Sequence, residues 1–153
     1  MVIIFIGPPG SGKGTQAQIL KDNLLPNLHL LTVSSLLKDK SDDGSVLGND
    51  IKKKMDNGDL IEDNIVISVL SEKVEYLNNE QILIDGFPRS SVQAESLNNI
   101  FKNLDVNIIN FIVSDGQLLE RIKKRSLEES RADDSFFEKR LGIYKKSHNE
   151  IIH

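Results

Sequence analysis

The stretch GPPGSGKGT at residues 7–15 directly follows the apolar run VIIFI at 2–6. Glycines at 7, 10 and 12 let a backbone wrap closely enough for successive N–H groups to converge on one phosphate. Lys13 adds a positive charge for the outer phosphates, and a helix starting there would add its positive dipole end. Pro8, Pro9 and Ser11 complete a G-x-x-x-x-G-K spacing, that of a phosphate-binding loop. One position departs from the usual form. Gly14 stands where a hydroxyl is common, and Thr15 supplies the hydroxyl one residue late. A second group, Asp85-Gly86-Phe87-Pro88-Arg89, ends another apolar run. A carboxylate leaving a strand beside a phosphate loop is suited to magnesium, directly or through water. Arg89 offers a planar fork to a phosphate, or to charge developing on a transferring phosphoryl group. Alone, DGFPR reads equally well as a turn followed by a surface arginine. Beside the glycine loop it reads as chemistry.

Both groups need strands and helices to place them. Residues 2–6 form a β-branched run, as in a strand buried on both faces, and Lys13 to Leu25 carries a helical pattern stopped by Pro26. LHLLTV (28–33) predicts a second strand, with Ser34 or Ser35 capping a short helix that fades at DKSDDG. Helices are predicted over Val46–Asp56 and Asp63–Leu77, the latter with Ile65, Val69 and Val74 on its apolar side. QILID (81–85), a helix over Ser90–Lys102, VNIINFIV (106–113) and a helix over Asp115–Arg125 follow. A last helix spans Ser135 to Ile151. Strands alternating with helices at this spacing imply β-α-β units and a parallel sheet covered on both sides. Ligands of such sheets bind at the carboxyl ends of the strands, where both motifs fall.

The totals set bounds. A chain of 153 residues fits a single domain with one sizeable core. Its net charge of -4 argues against a general nucleic-acid binder. With no cysteine, thiolate metal sites and disulfides are excluded. The opening MVIIFIG lacks the basic start of a signal peptide, and no run reaches membrane-spanning length, so a cytoplasmic location is the default. His29, His148 and His153 show no ligand-like spacing, and Phe136 and Phe137 read as core packing.

The two motifs together resemble the adenylate kinase family of nucleoside monophosphate kinases, whose habitual loop ends in GKGT. The resemblance continues through GNDIKKKMDNGDLIEDNIV (48–66), LIDGFPRSSVQAESL (83–97), ERIKKR (120–125) and SRADDSFFEKRLGIYKK (130–146). It implies an α/β, three-layer P-loop kinase fold with helices on both faces of a parallel sheet. Four strands are visible, and the family's fifth is missing. The implied activity is reversible, magnesium-dependent transfer of a phosphoryl group from ATP to AMP. ATP would lie on residues 7–15 and Arg121, with Lys13 on the donor phosphates. Asp85 would organise Mg2+ through water, and no zinc is implied. A segment over 33–64 would grip the acceptor with Ser34, Lys38, Leu60 and Ile61, joined by Gly86, Arg89 and Gln93, the last sensing the base, and by Arg131 and Arg140. Arg121, Arg131 and Arg140 would close over the phosphates, with Arg125 a weaker candidate. Residues 125–134 would form a short lid. The implied state is a monomer, with no nucleic-acid or membrane partner.

The chain departs from the family pattern in three places. The usual T-G-D-x-x-R after the second strand becomes Val33-Ser34-Ser35-Leu36-Leu37-Lys38, unless Thr32 substitutes in a shifted register. Lys38 keeps charge and loses the arginine fork. Arg131 and Arg140 stand about two residues closer than usual, which on a helix turns a side chain by ~200° and would carry Arg140 away from the site unless the turn compensates. The chain stops at His153, before a last strand and helix, which would leave the fourth strand's edge open. Two alternatives stay open: a UMP/CMP-type kinase, and a nucleotide-binding protein without turnover.

Overall fold

The computed structural model describes residues 1–57, 59–78, 80–102, 104–128 and 137–152. Four strands, β1 (Val2–Ile6), β2 (His29–Thr32), β3 (Ile82–Asp85) and β4 (Val106–Asn110), form a sheet in the order β2-β3-β1-β4. All three pairings are parallel, with Val2 opposite Ile82 on one side and Val106 on the other. The helices are α1 (Lys13–Asn23), α2 (Val33–Ser41), α3 (Val46–Asp56), α4 (Asp63–Leu77), α5 (Ser91–Ile100), α6 (Asp115–Glu128) and α7 (Phe137–Ile152).

The pleat explains why the central strands are apolar throughout. Side chains alternate between faces along a strand, so a strand covered on both sides has no polar face to offer water. Val2, Ile4 and Ile6 join Ile82 and Ile84 on one face, packed with Leu37 of α2, Ile51 of α3, Leu70 of α4, Phe87 after β3 and Phe101 after α5. Ile3, Phe5 and Leu83 point the other way, against Ala17 of α1 and Leu28. The result is the three-layer α/β arrangement implied by the resemblance.

Several boundaries differ from the sequence-based expectation, for physical reasons. The second strand ends one residue early because Thr32, rather than Ser34 or Ser35, caps α2: its Oγ1 accepts the Ser35 N–H at 3.2 Å. The fourth strand stops at Asn110, opposite Ile6, because β1 there turns into the glycine loop and offers no further ladder. The sixth helix continues past Arg125 to Glu128. On α4 the buried stripe is Val66, Leu70, Val74 and Leu77, with Ile65 and Val69 half-buried at its margin. Among the described residues strand β4 pairs only with β1, and its Ile108 and Ile109 are 54% and 46% exposed.

Candidate active site

The sheet brings the two motifs together. Phe5 and Asp85 are register partners across β1 and β3, and Thr32 pairs with Asp85 across β2 and β3. The glycine loop, the DGFPR segment and the start of α2 therefore leave the same end of three adjacent strands. Between them opens a cleft of about 1380 Å³.

On its floor the glycine loop reverses tightly. Gly7 passes so close to the chain after β4 that a Cβ there would sit 2.8 Å from Phe111 Cβ. Gly12 precedes α1 and Ser11 is buried. Lys13 Nζ donates to the carbonyls of Gly7 (2.9 Å) and Pro8 (3.0 Å), and to Ser11 Oγ at 3.4 Å. Burial lowers the Lys13 ammonium from 10.5 to about 8, Arg89 and Arg140 push it the same way, and Asp85 opposes them. These effects put Arg140 inside the electrostatic neighbourhood of the loop, and Arg140 lines the cleft. Arg140 is therefore not carried away from the cleft, while Arg131 lies outside the described residues.

Arg121 approaches from α6, its Nη1 donating to Ser11 O at 3.0 Å. Arg89 is folded over Gly86: Nε donates to Gly86 O at 2.8 Å, and a Cβ on Gly86 would meet Nη2 at 2.7 Å. With φ at +91°, the backbone at Gly86 favours glycine. Asp85 faces the first turn of α1, where a Cβ on Gly14 would stand 3.7 Å from Oδ2.

The cleft therefore collects Lys13, Asp85, Gly86, Arg89, Arg121 and Arg140, the loop residues Gly7, Pro9, Gly10, Ser11, Gly12, Gly14 and Thr15, and Ser34. Pro8 contributes its carbonyl to Lys13. Lys38 is exposed, Leu60 is 61% exposed, and Ile61 packs against the core; none of the three lines the cleft. Gln93 is 4% exposed and lies behind the cleft wall. Arg131 and most of 125–134 lie outside the described residues.

Thr32, offered by the sequence as a substitute in a shifted register, lines the cleft as well as capping α2. Phe137 is buried, as read from sequence, and its ring also faces Gly10 within the cleft. Asp63, whose carboxylate accepts from Ser90 Oγ (2.8 Å) and Gln93 Nε2 (2.7 Å), carried no signal beyond its place at a helix start.

Comparison with known proteins points the same way. The family model described as Adenylate kinase matches residues 5–153. An adenylate kinase of Leptospira biflexa serovar Patoc is 37% identical over 137 residues, covering 87% of this chain and 73% of the relative. One from Borrelia recurrentis is 36% identical over 131 residues, 85% of this chain and 59% of its own length. One from Thermus thermophilus is 31% identical over 155 residues, covering 98% and 80% respectively. The matched range takes in the glycine loop from Gly7 onward, DGFPR and the helices behind them, and the chain belongs to the adenylate kinase family.

Proposed function

We propose that this chain catalyses reversible phosphoryl transfer from ATP to AMP, yielding two molecules of ADP. The observation that carries the reading is the convergence of Lys13, Arg89, Arg121 and Arg140, with the Asp85 carboxylate among them, on a cleft at the carboxyl ends of the strands. Phosphoryl transfer asks little covalent chemistry of a protein; positioning and charge do most of the work.

Backbone N–H groups of residues 7–15 would hold the donor phosphates, with Lys13 on the outer ones. Arg89, fixed over Gly86, would hold the acceptor's phosphate in line. Arg121 and Arg140 would meet the charge that spreads over the transferring group, joined by Arg131. The segment over 33–64 would enclose AMP, with Ser34 nearest the cleft, and residues 125–134 would cover ATP and exclude water that otherwise hydrolyses it. Asp85 fits magnesium: it is a hard oxygen donor beside the phosphate loop, and a single carboxylate suffices for an ion that keeps most of its waters. Magnesium arriving with ATP would supply charge neutralisation on the phosphates. No helix among the described residues is long and apolar enough to cross a membrane.

The test is ADP formation from ATP and magnesium with AMP, CMP, UMP or GMP offered separately. AMP should be the strongly preferred acceptor. Lys13→Ala should lower turnover by about 10²–10³-fold, the usual scale for losing a charge-stabilising group. Folded protein that binds ATP and forms no acceptor-dependent ADP would sink the reading, and preference for UMP or CMP would reassign the acceptor.

A further inference from the structure

Behind the acceptor side of the cleft lies a closed set of polar contacts joining two helix starts. Asp63 opens α4, Ser90 caps α5, and Gln93 sits in the first turn of α5. Asp63 Oδ2 accepts from Ser90 Oγ at 2.8 Å and Oδ1 accepts from Gln93 Nε2 at 2.7 Å, across 27 and 30 residues of chain. On its other side, Gln93 Oε1 accepts the Arg89 N–H at 2.8 Å.

The chemistry of these groups allows only one arrangement. An ionised carboxylate accepts hydrogen bonds and donates none, so the NH₂ of Gln93 must face Asp63. That turns the amide oxygen toward Arg89. The opposite amide orientation would set oxygen against carboxylate and N–H against N–H, inside a site where Gln93 is 4% exposed and water cannot compensate. Ser90 follows the same logic. Its hydroxyl proton goes to Asp63, which leaves the oxygen to accept the Gln93 N–H at 3.2 Å and cap α5. Arg89 is then held at two points, through its backbone by Gln93 and through Nε by Gly86 O.

We infer that Asp63 is a positioning residue for the acceptor phosphate: its carboxylate sets the polarity of the Gln93 amide and, through it, the place from which Arg89 reaches into the cleft. The inference rests on the kinase reading above, since it assigns Arg89 to the acceptor. It also ties the end of the acceptor segment to the start of α5, so that both sides of the AMP site share one anchor.

Asp63→Asn tests it with little change in shape. The substitution presents an N–H either to Gln93, where the bond breaks or the amide turns over, or to Ser90, whose hydroxyl must then accept from position 63 instead of donating to it. The expected result is KM for AMP raised about tenfold, with KM for ATP changed less than about twofold. Adding Gln93→Glu to Asp63→Asn reverses donor and acceptor while keeping the pair's total charge. The carboxylate then accepts both from position 63 and from the Arg89 N–H. KM for AMP in the double variant should be lower than the two single variants predict when combined. A merely structural role for Asp63 would lower the melting temperature without separating the two KM values or producing this coupling.

A folded Asp63→Asn with wild-type KM for AMP, or additive single and double variants, overturns the inference. Should Asp63→Asn fail to fold, Ser90→Ala removes one of the two bonds and should raise KM for AMP about threefold; no change there overturns it equally. Titration of AMP by calorimetry accompanies the kinetics. Should the wild type show no acceptor-dependent ADP, the kinase reading fails by itself. The AMP affinities of the variants then still decide whether Asp63 positions the site.

Discussion

Lys13 is the residue whose chemistry is most altered by its surroundings. Burial brings its ammonium down to about 8, assisted by Arg89 and Arg140. In the unfolded chain the same group titrates near 10.5. A lysine lowered on folding costs stability in full below about pH 8, and that cost fades as pH rises toward 10.5, because the unfolded state then binds more protons. Nucleotide binding has the opposite preference, since phosphates favour the charged form. Below pH 8 ATP should bind without net proton uptake by this group. Above pH 8 it should take up close to one proton, and affinity should weaken by up to about tenfold per unit. Calorimetric titration of ATP in two buffers of different ionisation heat, at pH 7 and pH 9, measures this directly. The loop's composition and spacing were fully legible in the sequence, Gly14 included. The lowered Lys13 was not, because its first cause is burial, which depends on packing that no spacing discloses. Asp63 was illegible for a related reason: an acidic residue opening a helix is common, and its partners lie 27 and 30 residues away.

At the scale of elements, the core strands were readable because a strand covered on both faces must be apolar at every position. VIIFI became β1 without change. Boundaries were less readable, since each was decided by a partner. Thr32 won the α2 cap over two serines, and β4 was cut to the length of β1. Helix α4 shows the same limit. Its periodic pattern was evident, yet the stripe facing the sheet is set one residue on from Ile65 and Val69, at Val66 and Leu70. That shift makes a sharp prediction. Leu70 is 1% exposed, and Leu70→Ala should cost about 2–5 kcal/mol in urea unfolding. Val69→Ala, on the half-buried margin, should cost less than about 1 kcal/mol.

For the molecule as a whole, the alternation of strands and helices disclosed the parallel sheet and the end at which a ligand binds. A basic cleft on an acidic chain was also foreseeable, once the arginines were counted with the family pattern. The described sheet carries its exposed apolar surface at β4, where Ile108 and Ile109 flank an unpaired edge. Every strand pair is parallel, and none is joined by a local turn: Val2 meets Val106, and Arg121 of α6 reaches back to Ser11 across 110 residues. The consequence is temporal. Helices such as α4 can form early from local contacts, whereas the closing of so long a loop is slow. During synthesis the glycine loop leaves the ribosome well before the segments that carry Arg89, Arg121 and Arg140, and waits for them. In refolding from urea, recovery of AMP-dependent ADP formation should therefore never run ahead of the recovery of helical circular dichroism.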